Sequence, residues 1–585
     1  MRWTKTVALT TAGLTAVSLA ACGSGGPSSK GKGDNSNVRS ASAAQTKAAV
    51  AASDAGLQGP APAVPGAKKG GTLYLDDSSN PPTMDPSGIY YTDSGLIAAQ
   101  YLFRALTQYK VVHGQQVLVP DLATNVGTQS ADGLTWTFKI KPGLKYSDGS
   151  PVKIEDFAYA IKRSFATESV AADGTTYQMQ YLKGGNTYKG PFKQPKANFP
   201  GVTTQGNDTL VFHLTQKMPS FNYFASFPQF SPIPQSKDTK NDYQKHPLTT
   251  GPYEVSTYNI GQKLVLTRNP NWAPASDPVR HNYPDKIQVN FSISNLPSQQ
   301  RILANSGIGA DTINIGALDA SLASQVTGAK KNQFVIGPGS CVMYVEMDDR
   351  KIPLDIRKAI AYAWPFNEIR KAGGLSNLAY QPATTFDAPS LQGYKKYPAL
   401  PYAKGQGNGD PAKAKAMLKK ANKLGFQLSY YYISDDPAKV AANNARKAGL
   451  EKAGFTVKDI PLAKAEYTKK IGEGNAPVNM GQGTPGWCYD WPTGDSVYPV
   501  LFNGAYIDQG GGVGMFKNAA VNAQMAKTSA MDPAKAAPKW AALDQELMTK
   551  YFPSLPDYYT MSTLTFGRNV NNVVLNSMSQ VWLSN

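Results

Sequence analysis

The N-terminus carries the feature that most constrains the chain, a secretory signal that ends at a lipoprotein processing box. Arg2 and Lys5 give a short positive segment, and the apolar stretch 7–20 that follows is too short to span a membrane comfortably. The box reads Leu19-Ala20-Ala21-Cys22, so we expect cleavage before Cys22 and acylation of its thiol and amine. Two or more acyl chains give stable anchoring. The alternative is an ordinary secretory signal with an incidental cysteine.

The composition predicts a large body outside the membrane. The chain has 585 residues, enough for two or three domains or lobes, and no later stretch is apolar enough to cross a bilayer. Its formal net charge is +18, but no block of five or six like charges appears, which argues against nucleic acid binding. The excess favours weak attraction to anionic lipid headgroups or wall polymers.

Residues 23–69 are typical of a flexible tether. They are rich in Gly, Ser, Ala, Pro and Lys and nearly free of aromatic side chains. The alternating segment Leu73-Tyr74-Leu75 then predicts a first short strand. We therefore expect the ordered body to begin near Gly70.

Three Asp-Pro pairs predict helix starts in the second half of the chain. Asp410, Asp436 and Asp532 each place a side-chain acceptor at the N-cap, and the proline that follows fixes φ at the first helical position. The second helix is predicted to extend to about Lys452, between strand-like segments at 428–433 and 455–460. This order predicts a β-α-β unit with parallel strands and hence an α/β architecture.

Signatures of common enzyme classes are absent from the sequence. There is no G-x-S-x-G, H-E-x-x-H, C-x-x-C or Walker A motif, and the four histidines are scattered. The glycine run 510–514 lacks the strand and helix of a phosphate site, so we interpret it as a loop. We predict a protein that is not an enzyme and needs no cofactor and no metal. Any ATPase must be supplied by partner subunits.

Two cysteines remain once Cys22 is acylated. An even pair in an oxidising compartment suggests a disulfide between Cys341 and Cys488. Two separate buried thiols are the alternative.

Several long segments carry a family resemblance. They are Asp132 to Ile140, Pro142 to Gly149, Thr249 to Tyr253, and Pro353 to Ala363. Together they strongly resemble the family 5 (peptide/nickel type) extracellular solute-binding proteins of ABC importers. The resemblance implies an α/β periplasmic-binding-protein-like fold with two lobes, a hinge between them and an extra subdomain inserted in the first lobe.

The resemblance and the N-terminal signals together predict a division of the chain into seven segments. These are the signal peptide 1–21, the lipidated cysteine and tether 22–69, the first part of lobe I 70–110, the inserted subdomain 111–228, the second part of lobe I 229–335, lobe II 336–554 and the C-terminal part of lobe I 555–585.

The segment Gly486-Trp487-Cys488-Tyr489-Asp490-Trp491 resembles the stretch of oligopeptide-binding members that supplies a disulfide cysteine and an aspartate for the peptide amino group. The resemblance makes Cys341 the partner of Cys488 and implies that Asp490 binds the ligand ammonium. Trp487 and Trp491 are candidates for the walls of a side-chain pocket, and Gly486 and Tyr489 complete the candidate ligand-binding set. The alternatives are core tryptophans and an aspartate that caps a turn.

The sequence departs from the family where the far end of a peptide is expected to bind. Peptide binders often have a basic residue just before this motif, but residues 479–485 contain none. The function implied is still capture of extracellular oligopeptides by a monomer that is lipid-anchored on the outer face of the cell membrane. It would deliver them to an ABC permease and its ATPase subunits. A receptor for an oligosaccharide or another small solute on the same fold is the alternative.

Overall fold

The computed structural model describes residues 57–112, 115–397, 407–483, 485–509, 512–575 and 581–583, together with two short strands at 39–40 and 50–51. Within this part of the chain, no helix is both long enough and apolar enough to cross a membrane. Cys22 and the predicted signal peptide lie outside the described residues, as do Gly510 and Gly511 of the glycine run.

The strands are distributed along the whole described chain. In chain order they are β1 (Arg39–Ser40), β2 (Val50–Ala51), β3 (Thr72–Asp76), β4 (Thr107–Val112), β5 (Gln115–Pro120), β6 (Thr128–Gln129), β7 (Thr135–Lys139), β8 (Val202–Gln205), β9 (Thr209–His213), β10 (Tyr253–Asn259), β11 (Lys263–Arg268), β12 (Lys286–Asn290), β13 (Thr312–Asn314), β14 (Phe334–Glu346), β15 (Tyr380–Pro382), β16 (Gln427–Ile433), β17 (Thr456–Leu462), β18 (Gly486–Cys488), β19 (Ser554–Phe566), β20 (Val573–Leu575) and β21 (Val581–Leu583).

The α-helices lie between these strands. In chain order they are α1 (Thr92–Ile97), α2 (Ile154–Arg163), α3 (Tyr177–Tyr181), α4 (Phe221–Phe224), α5 (Asn295–Leu303), α6 (Leu354–Ala363), α7 (Phe366–Ala372), α8 (Pro411–Lys420), α9 (Pro437–Lys452), α10 (Lys464–Ile471), α11 (Tyr498–Phe502), α12 (Ala519–Ser529) and α13 (Pro533–Glu546).

A mixed sheet forms the centre of the fold. Its strands follow the order β1-β14-β19-β13-β3-β12-β11-β10, with β15 added to β19 and β18 added to β14. Strand β3 is parallel to both β12 and β13, whereas β14 and β19 run antiparallel. Parallel neighbours require crossover connections, and the connections from β3 to β12 and from β12 to β13 carry α1–α5. The mixed α/β architecture predicted from the sequence is confirmed.

Buried apolar side chains form three large clusters, and each cluster is built mainly from a different part of the chain. The first cluster lies around β3 and β10–β13, the second is formed by residues between 105 and 230 together with Trp491, and the third lies in residues 342–559. Strands β14 and β19 contribute to two of them. Val335 and Leu564 belong to the first cluster, and Val342 and Tyr559 belong to the third. The two long strands therefore connect the first cluster to the third. The lobe boundaries that we predicted stay a prediction.

The β-α-β unit has the predicted form. Strands β16 and β17 are parallel, with Leu428 opposite Val457, and α9 connects them. The side chain of Asp436 accepts hydrogen bonds from the backbone of the first turn of α9, and Asp410 and Asp532 cap α8 and α13 in the same way. These local predictions are confirmed because caps and alternating strands depend on residues close in sequence.

The ordered part of the chain begins before Gly70, where we had expected it to start. Lys141 Nζ donates to the carbonyl oxygen of Gln58 at 2.8 Å, and the backbone N–H of Ala61 donates to the carbonyl of Asp277 at 2.8 Å. Residues 58–61 thus lie against the folded body, although they belong to the predicted tether. Composition did not reveal these contacts, because two of them use backbone atoms of the segment, and a third, from Gln58 Nε2 to the carbonyl of Thr124, joins residues 66 positions apart.

A pair of buried carboxyl groups lies in the third cluster. Asp387 and Asp544 are each 1% exposed. The Tyr498 hydroxyl donates to Asp387 at 2.5 Å, and the Tyr397 hydroxyl donates to Asp544 at 3.0 Å. Burial raises the pKa of Asp387 to about 7, and burial together with the Asp387 charge raises the pKa of Asp544 well above its usual value. The pair therefore favours protonated forms in the folded protein.

We expect this pair to make the protein less stable as the pH rises. The unfolded chain loses these protons near pH 4, whereas folded Asp387 keeps its proton up to about pH 7, so its contribution to stability is largest at low pH and falls across this window. Thermal unfolding of the wild type and Asp387→Asn, measured from about pH 5 to about pH 8, should show a steeper loss in the wild type.

The exposed residue Asp435 provides the control for this comparison, because Asp435→Asn removes a carboxylate outside the third cluster. Parallel pH profiles for the wild type and Asp387→Asn would show that the buried pair does not titrate in this range.

Candidate ligand-binding site

Strand β18 fixes the candidate motif against β14. Cys341 lies opposite Cys488, Val342 opposite Trp487 and Met343 opposite Gly486. A disulfide joins Cys341 to Cys488, as the resemblance implies, and Cys341 lies within β14. The motif is thereby attached to the sheet both by hydrogen bonds and by a covalent bond.

Gly486 lies where strand β18 closely approaches strand β14. A Cβ atom at this position would lie 2.5 Å from the sulfur of Met343 and 2.9 Å from the carbonyl oxygen of Val342. Such contacts are too short for any side chain, so Gly486 permits β18 to lie on β14. This close approach explains why the residue at this position is glycine. A role for Gly486 in ligand binding stays a prediction.

Trp487 and Tyr489 pack against the third cluster. Trp487 is half-buried, and its indole N–H donates to the carbonyl of Ser496 at 2.9 Å. Tyr489 is buried, and its hydroxyl donates to Ser390 Oγ at 3.0 Å. Ser390 Oγ in turn donates to the carbonyl of Gly339 at 2.9 Å. Both aromatic rings hold the motif in place, and only Trp487 keeps a partly open surface.

Asp490 lies where three parts of the chain meet. The Tyr90 hydroxyl donates to its two carboxylate oxygens at 2.8 and 3.0 Å, and the Tyr177 hydroxyl donates to one of them. Tyr90 precedes α1 near the first cluster, Tyr177 begins α3 beside the second cluster, and Asp490 follows β18. The carboxylate of Asp490 is half-buried and oriented by two phenols.

Burial and charge keep both phenols protonated. Burial is the main cause that raises the pKa of Tyr90 and Tyr177 well above the usual value, and the negative charge of Asp490 adds to it. Each tyrosine is therefore a permanent hydrogen-bond donor at physiological pH. A carboxylate has about four acceptor positions, so the tyrosine hydroxyls and a ligand ammonium can share it.

The side chain of Trp491 packs in the second cluster, whose other members come from an earlier part of the chain. It is completely buried, its ring centroid lies 4.8 Å from that of Tyr177, and its indole N–H donates to Asp495 at 3.2 Å. Ser220, from the chain of the second cluster, also donates to Asp495. We expected Trp491 to form a pocket wall, but its ring has no surface open to a ligand in this structure. It instead joins the segment 486–496 to the second cluster.

Sequence reasoning missed Tyr90 and Tyr177. Both lie in short segments without a motif, and the only signal was the abundance of tyrosine, 31 in the chain. No group of three or more His, Cys, Asp or Glu side chains that could hold a metal ion occurs among the described residues.

A carboxylate with two oriented donors can bind a cation at a fixed position. Comparison with known proteins identifies the family and the fold that carry this carboxylate. The model of the bacterial extracellular solute-binding proteins, family 5 Middle, matches residues 117–509. The chain belongs to this family.

Two curated family relatives are similar over most of the chain. The probable D,D-dipeptide-binding periplasmic protein DdpA of Escherichia coli (strain K12) is 24% identical over 431 residues, which cover 71% of this chain and 74% of the relative. The periplasmic oligopeptide-binding protein OppA of the same organism is 22% identical over 547 residues, which cover 90% of this chain and 94% of the relative.

A solved structure supports the family fold. The "Clavulanic acid biosynthesis oligopeptide binding protein 2" superposes with a TM-score of 0.78 at 24% identity, and the match covers 93% of this chain and 100% of that one. The two-lobed fold of this family of ABC importer solute-binding proteins, predicted from the sequence, is thus confirmed.

We expect loss of the disulfide to destabilise the protein. Cys341 and Cys488 are 147 residues apart, and closing a loop of this length contributes about 4–5 kcal/mol in the chain-entropy model. The double variant Cys341→Ser/Cys488→Ser should therefore unfold at lower denaturant concentration than the oxidised wild type. Thiol titration of the denatured, unreduced chain without residues 1–22 should find no free thiol, and two thiols per chain would refute the bond.

Proposed function

We propose that this family 5 solute-binding protein captures extracellular oligopeptides and delivers them to a membrane permease, without acting as an enzyme itself. The curated relative whose match covers 90% of this chain is a periplasmic oligopeptide-binding protein. The observation that carries the proposal is the carboxylate of Asp490, oriented by Tyr90 and Tyr177 at the junction of three parts of the chain.

In this proposal, Asp490 binds the ammonium group of the peptide. A charge-assisted hydrogen bond between a carboxylate and an ammonium is strong in a site with little water, and it fixes the register of the peptide. Half-buried Trp487 lies three residues before Asp490 and offers apolar surface for a neighbouring side chain. Main-chain hydrogen bonds in the manner of an added strand would hold the rest of the peptide and tolerate many side chains.

We further propose that the protein is a monomer held by acyl chains on Cys22 at the outer face of the cell membrane. The processing box and the segment rich in small residues that follows it support this proposal. The power for transport comes from the permease and its ATPase subunits. Anchoring keeps the loaded receptor close to that permease.

Asp490→Asn tests the ligand contact with little change in shape. The amide oxygen can still accept from the tyrosines, but the charge that attracts an ammonium is lost. We expect affinity for a peptide selected from a synthetic library to fall by about 30- to 150-fold, equivalent to about 2–3 kcal/mol. Isothermal calorimetry on the wild type and the variant gives both values.

Two controls distinguish the ligand contact from a structural effect. Asp435→Asn removes the same charge at an exposed site and should leave affinity unchanged. An N-acetylated form of the same peptide lacks the ammonium and should bind the wild type and Asp490→Asn equally. Unchanged affinity of the free-amine peptide in a folded Asp490→Asn variant would assign Asp490 to structure alone.

Cys22→Ala tests the anchor. The wild type should incorporate a labelled fatty acid and sediment with membranes, because multiple acyl chains give stable anchoring. The variant should take up no label and appear in the soluble fraction. An unlabelled, soluble wild type would show that the cysteine is incidental.

A further inference from the structure

Helix α8 and the turn after it expose a dense group of lysines in the part of the chain that forms the third cluster. Lys415, Lys419, Lys420 and Lys423 are all exposed, and Leu424 beside them is 52% exposed. We propose that these five residues, the lysine patch, dock on the surface of an anionic lipid bilayer.

The lysines follow the exposed side of α8 and the turn after it. Lys415 and Lys419 are spaced by four residues within α8, which brings their side chains above one another. Lys420 ends the helix, and Lys423 lies in the turn after Asn422, whose φ of 52° ends the helical geometry. Ala414 and Leu418 are buried members of the third cluster, so core contacts fix the orientation of α8. The four lysines remain exposed to solvent.

The charges of the patch are not neutralised locally. Among the ion pairs of the described residues, none includes any of its four lysines. Nearby segments differ, since Lys447 pairs with Asp459 at 2.8 Å. Asp410, which precedes α8, accepts from the backbone of Lys413 and serves as the helix cap. A concentrated positive potential remains on this face.

Leu424 adds apolar surface beside Lys415 and Lys423. A Cβ atom built on Gly454 would lie 2.7 Å from Leu424 Cδ1 and 3.5 Å from Lys415 Cγ, so both side chains cover the same piece of backbone. An exposed leucine beside lysines matches the boundary between headgroups and acyl chains, where apolar groups insert and ammonium groups contact phosphates.

The chemistry of the patch favours a bilayer over a protein partner. Its cations are all lysines, and it contains none of the arginine or aromatic side chains that are enriched in protein interfaces. Lysines near an anionic leaflet each strengthen binding by about fivefold, without requiring a fitted counter-surface.

Vesicle sedimentation tests the proposal without relying on the anchor, because it uses the chain from residue 23 onward, which has no acyl chains. We expect binding to vesicles of phosphatidylglycerol and phosphatidylcholine at low salt, loss of that binding at high salt, and no binding to pure phosphatidylcholine. The quadruple variant K415Q/K419Q/K420Q/K423Q should bind more than about tenfold more weakly. Leu424→Gln should weaken binding by a smaller factor.

A matched variant distinguishes the effect of the lysine patch on vesicle binding from the effect of the net charge of the protein. K183Q/K196Q/K217Q/K237Q removes four exposed lysines elsewhere in the chain and should change vesicle binding by less than about threefold. Equal losses in the two quadruple variants, or no binding of the wild type to the anionic vesicles, would overturn the proposal. A patch variant that binds vesicles normally but supports less peptide uptake in cells would assign the lysines to a protein partner and would also overturn it.

Discussion

The antiparallel pairing of β14 with β19 is the interaction on which the rest of the structure depends. Each strand has 13 residues, and each contributes to the first cluster at one end and to the third cluster at the other. The pairing register shifts between Pro338 and Val342, next to the point where Tyr489 N–H donates to the carbonyl of Ser340. Two separately packed cores are thus joined through a hydrogen-bonded ribbon, and the candidate motif is attached beside the irregular part of that ribbon.

This arrangement explains why Asp490 is positioned precisely although it follows a strand of only three residues. β18 is too short to be stable alone, and its place is fixed by β14, by the disulfide and by the absence of a side chain at Gly486. The motif then continues toward Tyr90 and Tyr177. The ligand site is therefore assembled from long-range contacts, even though the candidate carboxylate belongs to a compact segment.

The difference between local and long-range contacts also decides how much of the fold and of the candidate site could be predicted from the sequence. The β-α-β unit around α9 and the aspartate caps were predicted because their signals lie within a few residues. Asp490 was found only through resemblance to a family, whereas the disulfide beside it was also suggested by the even pair of cysteines. The partners of Asp490 were not found, because Tyr90 is 400 residues away and Tyr177 is 313 residues away. The backbone contacts of residues 58–61 were missed because main-chain hydrogen bonds leave no side-chain pattern.

The position of Trp491 has a consequence for any relative movement of the parts that it joins. Its indole belongs to the segment that follows β18, but it is a buried member of the second cluster. Any movement that separates these two parts transfers the indole into water and breaks the bond between Ser220 and Asp495. Exposure of one such ring costs about 2–3 kcal/mol, so this contact stabilises the joined arrangement of the two parts by about that amount. A substitution that shortens the side chain at 491 would therefore act on the relative position of the two parts as well as on local packing.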